Sequence, residues 1–327
     1  MKKIVTVFLF ALLATDAFAQ TKSVSQIRAK WNQLKPKAGV KVYEREPSAT
    51  QPYNAGRLAL DFINNGKNTL NFVRYLAGLP EVPWHSYNLQ CQNGALVLAA
   101  NGVLSHTPAQ PKGMGIHNEY QSGYDACGKS NLFMSSGNSA TLEDAVRSWC
   151  NDSDPSNIKA LGHRRWVLNP VMGKTGFGCV TNPGKGTFVT MWAFDNSGTG
   201  KKDRVLWPNE GNFPSNFFEP KQAWSISLNS SVYSNTAANT ANISVKLTCL
   251  NNNKVWTFTK ADTNTSGKFF NVDTGGYGMN FCIIFRPDGI ASFGNNSNKY
   301  RVEVTGLRGV NNAALPKMVY DVDFFSL

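Results

Sequence analysis

The chain has 327 residues, of which 17% are charged and 12% aromatic, with a formal net charge of +12. That length exceeds what one hydrophobic core usually holds, so two domains are expected. The Lys and Arg residues are scattered and no RNA- or DNA-binding motif accompanies them, so no nucleic acid is expected, and the basic balance favours anionic surface ligands instead.

Taken in chain order, Met1, Lys2 and Lys3 precede an apolar run from Ile4 to Leu13 and then Ala17-Phe18-Ala19. This is the order of a cleavable secretory signal over residues 1–19, with the mature chain starting near Gln20. No later stretch offers the roughly 18 consecutive apolar residues of a membrane span, so the expectation is a secreted protein, extracellular or periplasmic, with no transmembrane span. Residues 20–52 form an N-terminal extension. From there to about residue 195 the apolar spacing is first helical. Leu70, Val73 and Ala77 share one face of a helix over 68–77. Leu96, Ala99, Ala100 and Val103 share one face of a helix ending near Leu104. Leu142, Ala145, Val146 and Trp149 repeat the pattern, behind a capping-box start at Thr141 and Asp144. The period then changes to strands over 174–180 and 187–194, which predicts an α+β or α-β-α layered domain over 53–195.

Residues 196–215, rich in Gly, Asn, Lys and Pro, read as a linker. Beyond it, alternating runs such as Ile243-Val245-Leu247-Cys249, Tyr300-Val302-Val304 and Tyr320-Val322-Phe324 predict strands, with four more over 223–228, 255–259, 268–272 and 280–285. Seven short strands with turn signals between them predict an all-β sandwich over 216–327. The order Cys249, Trp256, Cys282 is immunoglobulin-like, although Asn280 replaces the corner tyrosine of that fold. Most tryptophans belong in cores by this reading, with Trp207 expected at a cleft between domains.

The six cysteines, Cys91, Cys127, Cys150, Cys179, Cys249 and Cys282, form an even set without a CxxC pair. In an exported chain they are disulfide candidates rather than redox or zinc-ribbon ligands, the first four serving one domain and Cys249 pairing with Cys282.

Two ordered motifs carry a family resemblance. Asn71-Phe-Val-Arg74, Gly78-Leu-Pro80, Trp84, Leu89 and Leu104-Ser105-His106 come first. Trp149, the run Leu161-Gly-His-Arg-Arg-Trp-Val-Leu-Asn-Pro170 and Gly176-Phe-Gly178 follow. Together they resemble the CAP/SCP superfamily of cysteine-rich secretory proteins, bacterial type, over roughly 53–195. The resemblance implies a three-layer α-β-α sandwich with a central cleft, where two histidines and two acidic residues hold a divalent cation. His106 and His163 match the histidines, and Asp152 falls where one glutamate is expected. The second glutamate is replaced within Ser136-Gly137-Asn138.

Read without the family, His106 and His163 are too far apart in sequence to be a ligand pair by spacing, and a helix cap or a packed ring explains each as well. If they converge, they and Asp152 supply three ligands for zinc or another divalent cation and leave one position for water. His85 and His117 read as surface or structural, and Glu119 is a substitute carboxylate. Ser105 beside His106 makes a poor nucleophile–base dyad, since neighbours on a helix point about 100° apart. The functional expectation is an extracellular binding module for a lipid, protein or anionic surface ligand, with no enzyme class assigned. The alternatives are a metal-dependent hydrolase using His106 and His163, and adhesion through the C-terminal sandwich.

Overall fold

The computed structural model describes residues 21–327 apart from Trp84, His85 and Asn295, and only the backbone of His117 and Asn118. The export signal over 1–19, the motif residue Trp84 and the roles expected of the His85 and His117 side chains lie outside the described residues.

Ser23 opens the chain's first helix, α1 (Val24–Leu34), by accepting the Gln26 amide while the Gln26 side chain accepts the Ser23 amide. This helix occupies the expected N-terminal extension and braces both halves of the molecule. Trp31 packs against Phe72 and Phe217, and Arg28 Nη2 donates to the Ser326 carbonyl at 2.9 Å. A small hairpin, β1 (Tyr43–Arg45) and β2 (Arg57–Leu58), leads into α2 (Leu60–Leu76). Next come α3 (Asn88–Asn101), a π-helical turn at Ile116–Tyr120, α4 (Gln121–Gly128) and β3 (Ser130–Ser135). The capping box at Thr141 and Asp144 starts α5 (Leu142–Asn151), and α6 (Gly162–Val167) carries the Gly-His-Arg-Arg-Trp-Val run. Strands β4 (Phe177–Asn182) and β5 (Gly186–Trp192) complete an antiparallel sheet of order β3-β5-β4.

The sheet's alternation sorts its two faces into separate cores. Phe177, Cys179, Val189 and Met191 cluster with Leu70, Val73, Leu142 and Val146 of α2 and α5. Val180 and Phe188 cluster with Leu96, Val97 and Ala99 of α3. The result is three layers, α-β-α, as expected. Close approach of α3 to β4 depends on Gly178, where a Cβ would lie 2.1 Å from the Cys91 carbonyl oxygen. One helix boundary differs from expectation. Gly102, at φ 75°, turns the chain out of α3, which leaves Val103 56% exposed instead of buried.

Arg74 of the first motif is a structural tie. Fully buried Arg74 donates through Nη1 to the carbonyls of Val167 (3.0 Å) and Asn169 (2.8 Å) and through Nε to that of Pro80 (2.9 Å), joining α2 to the end of α6.

Residues 196–215 are more than a linker. They include β6 (Arg204–Trp207) and β7 (Gly211–Pro214), which add a strand to each sheet of the second domain. The expected strands follow as β8 (Trp224–Leu228), β9 (Ser244–Cys249), β10 (Val255–Phe258), β11 (Phe269–Asp273), β12 (Cys282–Arg286), β13 (Lys299–Thr305) and β14 (Met318–Phe325). They form a five-stranded sheet β10-β9-β13-β14-β7 and a four-stranded sheet β11-β12-β8-β6. Trp207, Phe213, Trp224, Phe285, Tyr300 and Phe324 fill the sandwich interior. Trp207 is therefore a core residue, fully buried and edge-on to Phe213, and not a cleft residue.

All six cysteines are buried free thiols. The expected Cys249–Cys282 bridge is excluded by topology. Cys249 belongs to the five-stranded sheet and the interior cluster, whereas Cys282 belongs to the other sheet and clusters with Ile158, Leu161 and Ala223 on its outer face. Burial pushes the Cys91, Cys127, Cys150 and Cys179 thiols up to about 12, as suits packing residues more than reactive ones.

Candidate functional site

His106 and His163 line one cleft of about 320 Å³, whose apolar walls include Leu132, Phe133 and Trp149. The turn after Gly102 brings in His106. Its Nδ1 lies 2.8 Å from the Cys127 carbonyl. A carbonyl only accepts, so Nδ1 carries a proton, and Nε2 is the nitrogen left for the cleft. Helix α6 brings in His163, whose backbone carbonyl accepts from Asn131 Nδ2 of β3 at 2.9 Å. Its Nδ1 lies 2.8 Å from Asp152 Oδ1, again leaving Nε2 as the unassigned nitrogen.

Asp152 terminates α5 in the left-handed region, φ 46°, with its amide donating to the Ser148 carbonyl. The side chain is 2% exposed, and its second oxygen accepts the Arg164 amide at 3.3 Å. Burial raises the Asp152 carboxyl above the usual range, although His163 and Arg164 oppose the shift. Burial also opposes charge on His163, but the hydrogen bond and charge of Asp152, with help from Asp154, hold that imidazole above its ordinary value. The pair is an oriented imidazole, ready to present a lone pair when neutral or an N–H when protonated.

The expected ligand triad is not assembled. Asp152 spends both oxygens behind the His163 ring, and so it orients a histidine where a third ligand was expected. Asp154 also lines the cleft, with its carboxylate occupied by Ser156 and Asn157. Asn138, in the segment that replaces the second glutamate, lines a different groove beside Tyr43 and Phe62. Glu119 lies at yet another, beside Gln51 and Tyr53. Among the described residues no group of three His, Cys, Asp or Glu is placed to hold a metal ion, so the side chains present do not fit a three-ligand divalent site.

The hydroxyl beside His106 is not set up as a nucleophile. Ser105 Oγ accepts the Thr107 amide, and no hydrogen bond joins it to His106. The larger crevice of about 650 Å³, between the end of α2 and the sandwich, contains Lys22, Lys202 and Arg204 but no histidine or cysteine.

What the sequence did not reveal is that the His163 helix is also a domain joint. Arg164 is fully buried and donates to the carbonyls of Cys150 (2.6 Å), Asn151 (2.6 Å) and Ala223 (2.5 Å), the last in the sandwich. Arg165 bonds Asp273 and the carbonyls of Gly275 and Met279, all from the sandwich. The adjacent Arg164-Arg165 pair was the available signal, since such groups need dedicated acceptors when a helix that carries them is packed.

Residues 67–194 match the model of the CAP, cysteine-rich secretory protein family. No curated protein matches the chain. No helix among the described residues is long and apolar enough to cross a membrane.

Proposed function

Because this chain carries a CAP domain of the cysteine-rich secretory protein family at residues 67–194, we propose that it is an extracellular binding protein whose cleft takes a small amphipathic ligand. One observation carries the reading. His106 and His163 each have Nδ1 engaged and Nε2 left for the same apolar-walled cleft. A carboxylate or hydroxyl head group would accept from His163 Nε2 when that nitrogen carries a proton, and a hydroxyl would donate to the lone pair of an unprotonated Nε2. An apolar stem then lies along Leu132, Phe133 and Trp149. The cleft volume, about 320 Å³, suits a short chain. Export is part of the proposal and rests on the pattern Met1 to Ala19.

The test is an NMR titration with octanoate and octanol, reading the imidazole signals of the two histidines. The expected result is perturbation of both signals in the wild type and loss of binding in His163→Ala. If neither probe moves either signal, the reading is wrong.

The hydrolase alternative draws on the Asp152–His163 hydrogen bond, which has the form of an oriented base, but among the described residues no hydrogen bond joins His163 to the Ser105 or Ser148 hydroxyls that line the same cleft. Adhesion of anionic surfaces through the sandwich is less favoured. On the open five-stranded sheet Arg301 pairs with Asp321, Lys299 with Asp323, and Lys246 and Lys317 both with Glu303.

A further inference from the structure

Two of the four non-glycine residues with positive φ among the described residues stand at the site pair. Asp152 itself has φ 46°, and Leu161, two residues before His163, has φ 49°. Neither is a glycine, and a left-handed conformation at such residues, Leu161 above all, persists where the surroundings hold it. In both cases hydrogen bonds within the first domain are joined by contacts from the second. Ser153, which follows Asp152, accepts the Ala223 amide on its Oγ (2.9 Å) and Arg286 Nη1 on its carbonyl (3.1 Å). Leu161 is fully buried among Ala223, Phe269, Cys282 and Ile284, the outer face of the four-stranded sheet. Between them, Asn271 Nδ2 donates to the Lys159 carbonyl at 2.6 Å. The ring of Tyr277 covers Gly162, where a Cβ would lie 2.9 Å from it.

We propose that the C-terminal sandwich is a built part of the cleft, with Arg286, Asn271 and Tyr277 as positioning residues that hold Asp152 and His163 in hydrogen-bonding register. The inference rests on the reading of this pair as the site, but its test needs no ligand. The charged groups acting on His163 are Asp152 and Asp154, with Arg164 beside it and His106 lining the opposite part of the cleft. None belongs to the sandwich. A sandwich substitution that loosens the Asp152 bond therefore lowers the His163 midpoint, whereas the loss of a cation by itself acts in the opposite direction.

The experiment follows the His163 imidazole by NMR across pH in full-length wild type, Arg286→Met, Asn271→Ala and Tyr277→Ala, the signal being assigned by its absence in His163→Gln. The midpoint of His163 is expected to be raised in the wild type and to fall in the variants, with Arg286→Lys retaining part of the rise. Loss of a nearby cation by itself would raise an imidazole midpoint, so a fall in Arg286→Met reports the broken register and not the missing charge. If Arg286→Met does not fold, the exposed-side variants Asn271→Ala and Tyr277→Ala carry the test. An unchanged or higher midpoint in folded variants overturns the proposal. A changed midpoint without octanoate binding leaves the positioning intact and removes the ligand reading.

Discussion

Nη1 of Arg164, the residue next to His163, lies 2.5 Å from the carbonyl of Ala223 in the sandwich, so the helix that supplies the cleft is bonded directly to the other domain. Burial lowers the Arg164 guanidinium to about 10, which leaves it charged at neutral pH. Its acceptors are mainly backbone carbonyls, with the Asp152 charge as a secondary support.

Removing that guanidinium strands several buried carbonyls at once. Arg164→Met is expected to lose about 3–5 kcal/mol of unfolding free energy in urea titration, the scale for breaking a buried charged network. Arg164→Lys should recover only part, because one ammonium cannot reach acceptors on both sides of the joint. A loss below about 1 kcal/mol would mean the joint is not a principal tie.

The His163 shift sets a pH dependence. Its folded-state value lies above its unfolded value, so the associated stability is fully present below about pH 6.5, the ordinary imidazole value, and is lost as pH rises through the folded value. Melting curves of wild type and His163→Gln should differ most in mildly acid buffer and converge as the pH becomes alkaline. A gap that widens with rising pH would contradict the assigned direction.

Gly162 is small because Tyr277 occupies the place of its side chain. Gly162→Ala is expected to cost about 1–3 kcal/mol by overpacking. In the Gly162→Ala, Tyr277→Ala double variant the cost should be less than the sum of the two, measured as a coupling in a double-mutant cycle. Strict additivity would show that the ring and the glycine do not meet.

Zinc separates the cleft from the family's cation site. With two imidazoles and no third ligand placed beside them among the described residues, calorimetry of the wild type should show no binding tighter than that of His163→Ala. Micromolar binding lost in both His106→Ala and His163→Ala would restore the metal reading and with it the hydrolase alternative.

The helical face of Leu142, Ala145, Val146 and Trp149, the capping box before it, and the alternation from Ile243 to Cys249 were legible because each depends on neighbours three, four or two positions away. The convergence of His106 and His163 came from motif resemblance, since spacing alone could not supply it. Three matters were decided only in three dimensions. Residues 204–214 became strands because β8 and β14 offered them open edges, which no local pattern announces. Cys249 and Cys282 stayed apart because their side chains fall on different sheets and different faces, a consequence of sandwich topology. Asp152 turned from expected ligand into the partner behind His163 because a left-handed helix end, pinned through Ser153 by the second domain, aims its carboxylate at Nδ1. The sequence by itself determined the main helices, the seven expected sandwich strands and, through motif resemblance, the cleft's two imidazoles. Only the tertiary structure decided what stands behind those imidazoles, because the groups that orient them come from residues as distant as Ala223 and Arg286.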